Sequence, residues 1–116
     1  MSYDLDFLPS ALKEWKKLDN SIRQQLKKKL AERLKNPRVE KDRLSGYKDV
    51  YKIKLRDLGY RLAYEVRDSE VIILVLVVGK REKNSVYDTL QERFLQTQEY
   101  STDTNQANEN SDLQEF

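Results

Sequence analysis

The sequence contains no cysteine, so disulfides, thiolate metal sites and thiol nucleophiles are excluded. It contains no histidine either, which removes the commonest general acid–base and the commonest metal ligand. Chemistry here has to come from carboxylates, Lys, Arg, Tyr, Ser or Thr, and neither metal nor cofactor is expected. No apolar run approaches the roughly 20 residues needed to cross a bilayer. The opening Met1-Ser2-Tyr3-Asp4-Leu5-Asp6 has neither the basic flank nor the apolar stretch of a secretory signal. A cytoplasmic protein without a membrane partner is the expectation.

Basic residues are missing from one region. From Leu95 onward there is no Lys or Arg, but there are five acids: Glu99, Asp103, Glu109, Asp112 and Glu115. The net charge of +2 therefore conceals a body with 22 basic and 15 acidic residues, a net of +7. Such an excess suits an anionic partner, nucleic acid above all. The length of 116 residues allows one domain. Residues 1–95 are assigned to it. Residues 96–116, rich in Gln, Asn, Ser, Thr and acids, read as a disordered tail.

The apolar pattern lays out the elements. Tyr3, Leu5 and Phe7 alternate as in a short strand. Pro9 suits the first turn of a helix in which Leu8, Leu12 and Trp15 share a face. Asp19-Asn20-Ser21 is a break with capping residues, and a second helix runs from there to about Asn36-Pro37. Its stripe is Ile22, Leu26, Leu30 and Leu34. Three strands follow, about Asp49–Arg56, Gly59–Arg67 and Val71–Lys80, and a short helix is expected near Val86–Leu95. The order β-α-α-β-β-β-α predicts an α+β domain: a helical hairpin packed on a four-stranded antiparallel sheet. The first strand is expected along the free edge of the last. That last strand is apolar on both faces, as a strand covered from both sides would be. Alternation assigns Ile72, Leu74, Leu76 and Val78 to the face away from the hairpin, for the final helix or a partner to cover.

The first strand hairpin is the most informative stretch. Tyr51, Ile53 and Leu55 alternate with Lys52, Lys54 and Arg56, while Tyr60, Leu62, Tyr64 and Val66 alternate with Arg61, Ala63, Glu65 and Arg67. A loop with an even number of residues keeps both apolar sets on one face, pairing Leu55 with Tyr60 and Lys54 with Arg61. Like charges directly opposite destabilise a sheet by up to about 1 kcal/mol. One reading is a solvated strand face with Lys guarding an edge. The other is an anion site, where a phosphate supplies the missing negative charge. Past the last strand, Gly79-Lys80-Arg81-Glu82-Lys83 and then Tyr87 offer cations and an aromatic hydroxyl, suited either to solvent or to a phosphate and a stacked base.

Tyr51-Lys52-Ile53-Lys54-Leu55, Gly59-Tyr60-Arg61-Leu62, Val78-Gly79-Lys80-Arg81-Glu82 and Tyr87 resemble the core signature of RelE-type toxins. Ala11-Leu12-Lys13-Glu14-Trp15 and Gln25-Leu26-Lys27-Lys28-Lys29-Leu30 resemble the helical hairpin of the same family. The match runs from about residue 2 to 95, and the tail departs from it. The resemblance implies the toxin of a type II toxin–antitoxin pair that enters the ribosomal A site and cuts the mRNA codon there. It implies an active site of Lys52, Lys54, Arg61, Arg81 and Tyr87, with Arg56, Lys80 and Lys83 as further candidates for RNA contact. The partners it implies are an antitoxin, the ribosome with its rRNA and mRNA, and operator DNA through the antitoxin complex alone.

Such chemistry uses the RNA 2′-hydroxyl as nucleophile and leaves a 2′,3′-cyclic phosphate and a 5′-hydroxyl. Lys54 is the candidate general base, its charged form disfavoured by Lys52 and Arg61. Lys52 and Arg61 would hold the non-bridging oxygens. Arg81 would act at the leaving oxygen, and Tyr87 would stack on a base. Two alternatives remain at this point: a ParE-like gyrase inhibitor on the same scaffold, and an RNA- or ribosome-binding module without catalysis.

Overall fold

The computed structural model describes residues 2–80 and 85–100. The elements run β1 (Asp4–Phe7), α1 (Pro9–Lys16), α2 (Asn20–Lys35), a 3-10 turn (Glu40–Asp42), β2 (Val50–Leu55), β3 (Tyr60–Arg67), β4 (Ile72–Lys80) and α3 (Ser85–Tyr100). The expected β-α-α-β-β-β-α order is present. Helix α3 runs beyond the expected end at Leu95. Residues 101–116, which hold most of the acidic tail, lie outside the described residues.

Pro9 occupies the start of α1, where its missing N–H is not needed. In α2 the expected stripe faces inward: Ile22, Leu26 and Leu30 are buried and Leu34 packs against them half-buried. Asp19 stands at the N-cap of α2, yet its side chain makes no capping hydrogen bond.

The four strands form one sheet in the order β1-β4-β3-β2. β2, β3 and β4 are an antiparallel meander, and β1 joins the outer edge of β4 in parallel, so the expected antiparallel arrangement holds for the meander alone. The reason lies in the hairpin. The Tyr3 N–H donates to the Leu34 carbonyl at 2.8 Å, so α2 ends beside the start of β1. β2 therefore leaves from the same end of the sheet as β1 did, and β4, two hairpins later, runs the same way.

The β2–β3 register is the one that alternation predicts, with Leu55 opposite Tyr60, Ile53 opposite Leu62 and Lys54 opposite Arg61. Gly59 closes the turn in the left-handed region, φ 72°, where a Cβ would be strained. Between β3 and β4 the register shifts: Ala63 pairs with Val77 but Tyr64 with Val75, leaving Leu76 as an inserted bulge residue. The bulge corrects the assignment of Ile72, Leu74, Leu76 and Val78 to one face. Ile72 opposes Arg67 and Leu74 opposes Glu65, on the cation side, whereas Val78 opposes Leu62 on the hairpin side.

Both faces of the sheet are covered. Arg33 of α2 reaches Tyr64 on one. On the other α3 lies across β4, with Val86 and Leu90 buried and the Val86 methyl over Gly79. Leu74, Val75 and Leu76 are fully buried between the layers.

Candidate active site

Lys52, Lys54 and Arg61 share one face of the sheet because the β2–β3 register sets Lys54 against Arg61 and Lys52 against Ala63. The carboxylate nearest in pattern, Glu65, is engaged by Arg67, whose Nε donates to it at 2.9 Å. Among the described residues no carboxylate pairs with Lys52, Lys54 or Arg61. Lys52 and Lys54 are half-buried and Arg61 is only 7% exposed.

Arg61 is the unusual member. Its Nη1 donates to the carbonyl of Tyr60 at 3.0 Å, while its buried Nε has no hydrogen-bond partner among the described residues. A buried, charged donor left unsatisfied is expensive. An anion brought from outside is one partner that would satisfy it.

Lys54 responds to the same crowding. The charge of Lys52 close beside it pushes its pKa below the ordinary lysine value, and partial burial, Arg56 and Arg61 add to this. A lysine so placed sheds its proton more readily.

The helix beyond β4 begins near Arg61. It pairs across β3–β4 with Gly79, and a Cβ at Gly79 would meet the Val86 methyl at 3.8 Å. The first turn of α3, with half-buried Tyr87 next to Val86, thus stands beside the Arg61 end of the sheet. Arg56 is exposed just past Lys54. Lys80 opposes Tyr60, so it leaves the sheet on the hairpin side, away from the three cations, because the strand alternation turns it there. Arg81 and Lys83 lie outside the described residues.

The family model described as the ParE toxin of type II toxin-antitoxin system, parDE, matches residues 5–85. The mRNA interferase toxin RelE of Escherichia coli K12 is 54% identical over 95 residues, which is 82% of this chain and all of the relative. This chain belongs to the RelE/ParE family of type II toxins. Among solved structures of the family, a free E. coli RelE toxin carrying two arginine substitutions is 53% identical, with a TM-score of 0.75 over 80% of this chain and 98% of that one. RelE in the intact E. coli RelBE toxin–antitoxin complex is 55% identical, with a TM-score of 0.69 over 71% of this chain and all of that one.

Two features around this RelE-like site carry no local sequence signal. Arg33 donates from Nη1 to the Lys52 carbonyl at 3.1 Å and to Tyr64 Oη at 2.8 Å, and from Nη2 to Asp42 at 2.6 Å. It fixes the backbone of a candidate catalytic lysine at the outer edge of β2. Arg93 of α3 pairs through both terminal nitrogens with Glu14 of α1. The partners are far apart in sequence, so no spacing rule reveals them.

Among the described residues no helix is long and apolar enough to cross a membrane.

Proposed function

We propose that the chain is the toxin of a type II toxin–antitoxin pair and a ribosome-dependent mRNA endonuclease that halts translation by cutting codons in the A site. The observation that carries this reading is the buried Arg61 beside Lys52 and Lys54, a cation group without a carboxylate partner among the described residues, in a chain 54% identical to an mRNA interferase. Lys54 takes the proton of the 2′-hydroxyl. Arg61 and Lys52 hold the non-bridging oxygens as charge develops on the phosphorane, an electrostatic contribution worth several kcal/mol, on the order of 3 per donor. Arg81 neutralises the charge on the leaving 5′-oxygen, which takes its proton from water, since arginine gives one up reluctantly. Tyr87 stacks on a base and sets the in-line geometry. Groups this weak as acids and bases depend on a substrate positioned for them, which the ribosome provides.

The protein acts in the cytoplasm, and its partners are a cognate antitoxin, the ribosome and mRNA. The solved RelBE complex supports neutralisation by a RelB-like antitoxin, with operator DNA contacted through that complex alone. The ParE name of the family model favours a second reading, gyrase inhibition without nuclease activity. Mapping the 5′ ends of mRNA after induction separates the two. Ends inside translated codons, absent from a Lys54→Ala, Arg81→Ala double variant, are expected. A DNA-damage response with intact mRNA supports gyrase inhibition and overturns the nuclease reading.

A further inference from the structure

β1 spans four residues and β4 nine. Their pairing ends at Phe7 opposite Val75, and the Leu8 N–H takes the Val75 carbonyl at 3.0 Å. Beyond this point no strand among the described residues lies beside the outer edge of β4, although its polar groups still need partners. Two side chains supply them. Glu14 accepts from the Val78 N–H at 3.2 Å, and Arg93 donates to the carbonyl of Leu76, the bulge residue, at 2.9 Å. The same two side chains pair with each other at 2.8 and 2.9 Å. α1 and α3 are thereby joined around the edge of the sheet.

Arg93 lies on the inward stripe of α3, between buried Leu90 and buried Thr97. Apolar contacts along such a stripe tolerate small slides and rolls of the helix. A two-pronged Arg–carboxylate pair that also holds fixed backbone atoms tolerates far less. Tyr87 sits on the same rigid helix, about 9 Å along the axis from Arg93 at roughly 1.5 Å per residue.

We propose that the Glu14–Arg93 clamp is a positioning element of the ribonuclease site: it fixes the roll and axial setting of α3, and with them the placement of Tyr87 beside the Arg61–Gly79 end of the sheet. The proposal rests on the nuclease reading. Glu14 and Arg93 touch no substrate; they act through Tyr87.

The test is a double-mutant cycle on ribosome-dependent cleavage, with kcat and KM measured separately. Glu14→Gln keeps an acceptor for Val78, and Arg93→Lys keeps the charge, so both variants should fold, as thermal melting checks. Each is expected to lower kcat roughly tenfold to a hundredfold, the loss typical of small misplacements, with KM for programmed ribosomes little changed. In a Tyr87→Ala background the same substitutions should have almost no further effect. Fluorotyrosine placed at position 87 gives a readout independent of rate, and its fluorine resonance should shift in both clamp variants. Equal fold-losses with and without Tyr87, or an unshifted resonance, overturn the positioning role while leaving the nuclease reading intact. A wild-type chain that cuts nothing on ribosomes overturns both.

Discussion

Lys54 and Arg61 stand directly opposite one another across β2 and β3, and the Arg61 Nε is buried without a hydrogen-bond partner among the described residues. A sheet selected for stability alone has no use for this pair. Replacing Arg61 with methionine removes a buried charge and the repulsion on Lys54. The variant should be more stable by about 1–3 kcal/mol, while cleavage falls by roughly a hundredfold to a thousandfold. Denaturant unfolding and single-turnover cleavage on the same preparations check this. Loss of both properties together would make Arg61 a structural residue.

The crowding of Lys54 gives a pH prediction with a definite sign. Only the neutral amine accepts a proton, so the rate rises with pH through the lowered pKa of Lys54 and then levels. The charge of Lys52 is the largest cause of that lowering. Lys52→Ala should therefore raise the pKa, reduce the rate near neutrality and move the rising limb to more alkaline pH. Single-turnover rates between about pH 6 and 10, the range below the ordinary lysine value, follow the shift. An unmoved limb removes Lys54 as the base.

Much of this site is legible in the sequence because the β2–β3 pattern is strict. Alternation in Tyr51–Arg56 and Tyr60–Arg67, with an even loop, leaves one register that keeps the apolar sets together, and the structure has it. β4 is different. Val71–Val78 is apolar throughout, so alternation carries no face information there and a bulge at Leu76 leaves no trace in the pattern. That is why simple alternation puts Val78 on the face opposite to the one it occupies. The parallel pairing of β1 follows from where α2 ends, a tertiary contact between Tyr3 and Leu34 that no local pattern encodes. Arg33, Glu14 and Arg93 resemble surface charges in a sequence this rich in them. Their partial burial comes from the edges of β2 and β4, which exist only once the sheet is assembled.

Arg33 ties four pieces of chain together through Lys52, Tyr64, Asp42 and its own helix, with its side chain 13% exposed. Arg33→Met leaves Asp42 and the Lys52 carbonyl without it and should destabilise the fold by about 3 kcal/mol. A lower urea midpoint at unchanged slope confirms this reading. A midpoint within error of the wild type contradicts it.

Val71, a β-branched residue in the β3–β4 turn, has φ 56°, where its Cβ meets the neighbouring carbonyl. Asparagine tolerates this region far better. Val71→Asn should stabilise by roughly 1 kcal/mol, read as a higher melting temperature with cleavage unaffected, since the turn lies at the end of the sheet away from Lys54.

The central claim is that Lys54 and its neighbours activate the hydroxyl of the RNA itself. The most direct measurement uses programmed ribosomes carrying an mRNA with a single 2′-deoxynucleotide on the 5′ side of the A-site cleavage position. The purified wild-type chain should cut the all-ribose message to a 2′,3′-cyclic phosphate and a 5′-hydroxyl and leave the deoxy message whole. Cleavage of the deoxy message at the same bond would contradict it.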